Sequence, residues 1–194
     1  MMRKEKKSRK AIIMAIVIAA IMIFSVMGII LDRYGNESSM NYNGHTLERK
    51  GSKWALISDK KEIMFDYFPS EVESINISED IIKRIGSSLE IDSTYDLNST
   101  NAEGIAYSQF ELNNAMGNQF NIYVRIGFTG DNEYGIPIIT CSDSTPAVPV
   151  IYFIDSNETL VRSEGSCIIA EGKGYFDFIK IKDRILYGVL GVIG

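Results

Sequence analysis

One histidine, two cysteines and four prolines are all that 194 residues contain of these types. That scarcity removes whole classes of chemistry. A structural zinc site needs four Cys or His ligands at short paired spacings, which His45, Cys141 and Cys167 cannot supply. A cysteine nucleophile needs a base and a group that orients the base, and the one available imidazole lies far from both thiols in sequence. No nucleotide-binding glycine loop, internal repeat or proline-rich tract is present. No catalytic residue, metal or cofactor is therefore expected.

Charge of either sign is missing from residues 11–31, whereas residues 1–10 carry Arg3, Lys4, Lys6, Lys7, Arg9 and Lys10 against Glu5. As a helix the uncharged run reaches roughly 31 Å, which matches a hydrocarbon core of about 30 Å. The basic flank predicts a cytoplasmic N-terminus and a translocated remainder. The expected organisation is a basic tail (1–10), a single-pass signal-anchor helix in membrane lipid (11–31), a polar tether (32–43) and an outer domain (44–194). A cleaved signal peptide fits less well, because its apolar stretch is normally about 7–15 residues. The chain has a net charge of −5 with a basic tail, so the rest is more acidic still. Such a surface repels phosphate and argues against nucleic acid as a partner.

Beyond the tether, residues 45–50, 53–58 and 62–68 read as a three-strand meander, and Pro69 stops the third strand. Ser70 and Glu73 have capping-box spacing ahead of a short helical turn. Ser78, Glu79 and Asp80 open a second helix over 81–85, which Gly86 ends. Residues 89–95 read as extended. Thr100 to Glu103 then start the longest helical pattern of the domain, with Ala102, Ile105, Ala106, Leu112 and Met116 on one face, Phe110 at its edge and Gly117 just past its end. The second half reads as strands over 121–128, 136–141, 148–154, 159–163 and 166–171, with Asp155 to Glu158 as a hairpin turn. A closing helix carries Phe178, Ile179, Ile185, Leu186, Val189, Leu190 and Ile193 as its apolar stripe, with Asp177, Lys180, Lys182, Asp183 and Arg184 mostly opposite. Strand runs broken by a few helices predict one α+β domain with a mixed or antiparallel sheet.

Cys141 and Cys167 both fall on predicted strands of a domain expected to be translocated, where they would form a disulfide. The pairs Glu71/Glu73 and Glu79/Asp80 complement helix N-termini, and Asp131/Glu133 lacks the alternating ligands of a calcium loop. Asn36, Asn76, Asn98 and Asn157 each begin an Asn-x-Ser/Thr acceptor pattern, so they are possible glycosylation sites on exposed, translocated segments. The stretch from Cys141 to Pro149 is denser in hydroxyls and proline than a plain connection requires. Asp143, Thr145 and Pro149 are its expected binding-loop residues.

Two resemblances bear on function. The segments Phe65-Asp66-Tyr67-Phe68-Pro69-Ser70-Glu71-Val72-Glu73, Pro137-Ile138-Ile139-Thr140-Cys141-Ser142-Asp143 and Asp183-Arg184-Ile185-Leu186-Tyr187 resemble those of small, uncharacterised, membrane-anchored archaeal proteins, which implies no activity. Val148-Pro149-Val150-Ile151-Tyr152-Phe153, the following hairpin through Arg162 and the closing helix resemble the C-terminal half of a thioredoxin-like domain, over a minor part of the chain and without its C-x-x-C. The reading that follows is a membrane-anchored, extracytoplasmic binding or interaction module. One alternative is a pilin-like structural subunit, since a basic leader before a long apolar helix resembles archaeal pilin precursors, although Lys10-Ala11 is not their glycine-containing processing site. The other is a thioredoxin-like thiol protein.

Overall fold

The computed structural model describes residues 5–35, 39–58 and 61–194, and of 5–10 and 28–35 the backbone alone. A proline-free run of Ile, Ala, Met and Val, interrupted only by Ser25 and Gly28 among small residues, is compatible with helix, and α1 (Glu5–Gly35) extends over 31 residues. Among the described residues, however, no helix is long and apolar enough to cross a membrane. The expected transmembrane anchor is corrected accordingly, and with it the single-pass membrane location with an outer domain.

Four strands follow: β1 (Ser39–Tyr42), β2 (His45–Lys50), β3 (Lys53–Ser58) and β4 (Lys61–Phe65), paired antiparallel in sequence order. Ser39–Tyr42 is thus a strand where a tether was expected. Its cause is Asn43-Gly44, whose φ values of 48° and 83° are those of a two-residue hairpin turn with the twist that antiparallel strands need. β4 ends at a 3-10 turn over Pro69–Glu71, where the Glu71 carboxylate accepts the Phe68 N–H at 2.8 Å. Glu73, the expected partner in a capping box, instead receives the Tyr42 hydroxyl and ties β1 to this turn.

The second sheet contains β5 (Glu90–Tyr95), β6 (Tyr123–Phe128), β7 (Val150–Asp155), β8 (Leu160–Glu164) and β9 (Cys167–Gly172), in the order β6-β5-β7-β9-β8. All neighbours are parallel except β8, which runs against β9. β9 lies between β7 and β8, so Asp155 to Glu158 do not form the expected hairpin. Instead β8 docks at the edge and turns back to place β9 beside β7. Residues 136–141 do not form a strand either; one bridge, Phe128 with Ile138, is followed by a 3-10 turn over Cys141–Asp143.

Three helices complete the domain: α2 (Glu79–Ser87), α3 (Ala102–Ala115) and α4 (Tyr175–Val189). α2 runs through Gly86, and α3 continues into a π turn over Met116–Phe120 that ends at left-handed Asn121 rather than at Gly117. α3 and α4 pack on each other with β5, β6 and β9 on one side and the meander on the other. On the meander side Phe65 stacks on Tyr187 at 3.9 Å between ring centroids. Because α3 has a sheet on both sides, Gly104, Ser108 and Gln109 are buried, while Ala106 and Phe110 face out. Gln109 donates to Ser93 Oγ at 2.9 Å, which satisfies two polar groups in the core.

Alternation along β9 divides the interior. Ile168 and Ala170 face the helices; Cys167 and Ile169 face the other way, against Ile139 and Val150. Cys141 and Cys167 are joined by a disulfide, which fastens the 129–149 segment over that outer face.

Candidate functional site

In parallel sheets ligands favour the crevice at the C-terminal strand ends where the strand order reverses. Here that point lies between β5 and β7, because the chain moves from β5 to β6 on one side and then to β7 on the other. The protein fills it with its own anion. Asp155, at the end of β7, accepts from Asn101 Nδ2 at 2.8 Å, Ser99 Oγ at 2.9 Å, Thr100 N at 3.0 Å and Thr100 Oγ1 at 3.1 Å. Partial burial raises the Asp155 carboxyl, yet these donors, Asn101 foremost, outweigh it and hold the group below its ordinary value. Asp155 thus fixes the turn that leads into α3.

The densest ionic cluster is internal. Lys182 and Asp183 on α4 are fully buried, and Arg184 retains 3% exposure. The Lys182 ammonium lies 2.6 Å from Asp183 Oδ1 and 2.7 Å from Asp66 Oδ2. Asp183 Oδ2 accepts the backbone N–H groups of Asp66 and Tyr67 at 2.9 and 2.8 Å, and the Tyr187 hydroxyl donates to Tyr67 O. Tyr107 donates to Asp66 Oδ1 at 3.0 Å, and Lys53 bridges Asp66 and Glu111. Burial works against the charged form of Lys182, but Asp183 and Asp66 prevail and raise its pKa. Burial also opposes ionisation of Asp66, where Lys182 prevails and lowers the pKa. These groups clamp the end of β4 to α4, with Asp183 Oδ1 held by the Lys182 charge and by no hydrogen bond.

Asp183 gives this clamp a pH dependence. Burial pushes its carboxyl up to about 6 from 3.8, against the opposing pull of Lys182 and the Tyr67 amide. A folded-state value above the unfolded one means that the contribution of this group is complete below about pH 4 and is lost as pH rises through about 6. The loss is on the order of 3 kcal/mol, at about 1.4 kcal/mol per pKa unit. Urea unfolding between pH 4 and 7 should accordingly show a shallower decline for Asp183→Asn than for the parent chain.

Between α2 and the end of α4 lies a cavity of about 690 Å³, walled by Ile77, Ile82, Val189, Leu190 and Ile193, with Lys83, Arg84 and Glu79 at its rim. α4 ends there in a Schellman motif: the Gly191 N–H returns to Gly188 O and the Val192 N–H to Tyr187 O, each at 2.9 Å. Gly86 faces the opening, and a Cβ placed on it would meet only Val189 Cγ1 at 3.5 Å.

The residues singled out in the sequence lie elsewhere. Asp143 accepts from Thr140 N and Oγ1, Thr145 Oγ1 accepts the Val148 N–H, and Pro149 O accepts the Asp92 N–H in register with β7. All three serve the local turn and strand. A cavity of about 410 Å³ nearby is lined by Pro146, Ala147 and Val148 with residues 87–90, not by them. Asn76, Asn98 and Asn157 are exposed, and Asn36 lies outside the described residues. His45 and the disulfide stand on different sheets. Among the described residues no cluster of His, Cys, Asp or Glu has the arrangement of a metal site.

No family model, curated protein or solved structure matches this chain. The weight of a functional reading therefore rests on the geometry above. Sequence reasoning missed the α2–α4 cavity because its lining comes from two helices about a hundred positions apart. Its one local signal is the run of small residues Gly188, Gly191 and Gly194 among large aliphatic ones.

Proposed function

We propose that this chain is a binding module for a small molecule with an apolar body, taken up between α2 and the end of α4. The observation that carries the reading is the cavity itself. Its volume of about 690 Å³ falls within the roughly 300–1,000 Å³ of small-molecule sites. Its walls are aliphatic, and a few charged groups stand at the mouth, the usual division between affinity and orientation. Lys182, Asp183 and Asp66 serve the clamp between α4 and β4, and Asp155 serves the turn before α3, so neither group carries a catalytic reading.

A neutral apolar dye, N-phenyl-1-naphthylamine, tests this on the full chain. Its fluorescence should rise saturably, and the Gly86→Leu variant, which places a branched side chain at the opening, should lose that component. Dye adsorbed to the exposed apolar residues of α1 is common to both proteins and cancels in the comparison. Equal titration curves for the two would exclude the cavity as a binding site.

A further inference from the structure

Among the described residues, three of the four sheet edges are guarded. β4 carries Lys61 and Glu62, and the π turn after α3 lies against it, with Lys61 donating to Asn118 O and Gln119 to Glu62 O. β6 carries Arg125 and is paired at Phe128 with Pro137 and Ile139. β8 carries Arg162 and Glu164, and its Val161 N–H is taken by Asn76 O. Charges and covering segments of this kind keep an edge from pairing with another chain. β1 has neither. Ser39, Met40, Asn41 and Tyr42 include no charge and no proline, and the first three are exposed.

The register shows which backbone groups of β1 are idle. Tyr42 and His45 flank the two-residue turn and exchange hydrogen bonds, and by alternation Met40 and Leu47 are the next pair to do so. Ser39 and Asn41 therefore direct their N–H and C=O groups away from β2, where no partner among the described residues reaches them. Met40 and Tyr42 stand on the core side of the sheet, Met40 across from buried Leu47 and Tyr42 edge-on to Phe68. Met40 nevertheless keeps 47% exposure, because β1 is the last strand of its sheet.

We infer that β1 pairs antiparallel with β1 of a second copy of this chain, Asn41 opposite Asn41, and so joins two four-stranded sheets edge to edge. The residues select this register. It lets the idle groups of the two Asn41 residues exchange hydrogen bonds, and it sets Met40 of each copy across from the partner's Tyr42 on the core side. That contact covers the exposed Met40 and places a thioether against an aromatic ring. An uncharged edge also meets its own copy without opposing like charges, although each chain carries a net charge of −5. The strand is short, so the dimer is reversible and concentration-dependent.

Sedimentation of the full chain over a range of concentrations tests this. The parent should pass from one chain to two, and Asn41→Pro should move that transition to about tenfold higher concentration or abolish it, since proline removes the outward N–H and leaves the bonds to β2 intact. Association through the exposed apolar residues of α1 is common to both proteins and cancels in the comparison. Mild oxidation supplies a second readout. Asn41→Cys should form a covalent dimer, because residues opposite each other in such a pair lie about 5.5 Å apart at Cα, within disulfide reach. Thr46→Cys, equally exposed but one strand in from the edge, should not. Cys141 and Cys167 are already joined to each other and take no part. Equal cross-linking of the two cysteine variants, or a parent chain that sediments as Asn41→Pro does, would overturn the inference. The cross-linking comparison decides the matter even where Asn41→Pro does not fold.

Discussion

Replacing Lys182 by Met is expected to lower the unfolding free energy by about 3–5 kcal/mol at pH 7.5, the cost typical of removing one partner from a buried ion pair. The stem of Met preserves most of the packing, so the loss arises from the two carboxylates left behind. Asp183 would remain fully buried with its Oδ1 facing no cation, and Asp66 would keep the Tyr107 hydroxyl and, as its one cation, Lys53 at 3.7 Å. The defect should shrink as pH falls, since a carboxyl already pushed up to about 6 rises further once Lys182 is gone and protonates at less cost. Urea titrations at pH 7.5 and 5 test this directly. A penalty that is the same at both pH values would mean that Lys182 acts through packing alone. Lys182→Met with Asp183→Asn should be less damaging than the sum of the two single changes, because they share one interaction.

Opening the disulfide is the second large effect. Cys141 and Cys167 are 26 positions apart, and the chain-entropy model assigns a loop of that length about 3.5 kcal/mol of constraint on the unfolded chain. Cys141→Ala with Cys167→Ala should lower the denaturant midpoint accordingly, and reductant should lower the parent chain to nearly the same value. Damage should begin on the outer face of the second sheet, where Ile139, Val150 and Ile169 pack around the bridge. Amide exchange in 129–149 is therefore expected to accelerate before exchange in β5 or β7 does. A midpoint insensitive to reductant would show that the cross-link does not constrain the chain.

Both predictions concern residues that the sequence presents very differently. The two cysteines are conspicuous because there are only two. Lys182, Asp183 and Arg184, in contrast, occupy helical positions that a single-stripe reading assigns to solvent. That reading assumes one buried face per helix. α4 is instead packed against β9, α2, α3 and the Pro69–Glu71 turn together, which leaves almost no face for water. The same assumption placed Ala106 in the core and left Ser108 and Gln109 out of it. Asn43-Gly44 is a different case. It is a strong hairpin signal on its own, masked in the sequence by the polar residues before it, which read as a tether.

The cavity between α2 and α4 shows where sequence reasoning stops. Ile82 and Ile85 look equivalent on the α2 wheel, yet Ile85 is fully buried and Ile82 half-buried at the opening. Which of the two meets a gap depends on the small residues at 188 and 191, and that is decided by how one helix crosses another.

Local chemistry determined most elements of this protein in advance: alternation placed β5 to β9 to within a few residues, α2 was recognisable from its capping residues, and α3 and α4 from their apolar spacing. Those signals act between neighbours a few positions apart, so they are written in the chain itself. The insertion of β9 between β7 and β8, the burial of three consecutive charged residues and the cavity between α2 and α4 were decided only by tertiary packing. Each requires groups separated by tens of residues or more to share one desolvated space, where an ion pair is retained because its partner arrives from a distant strand.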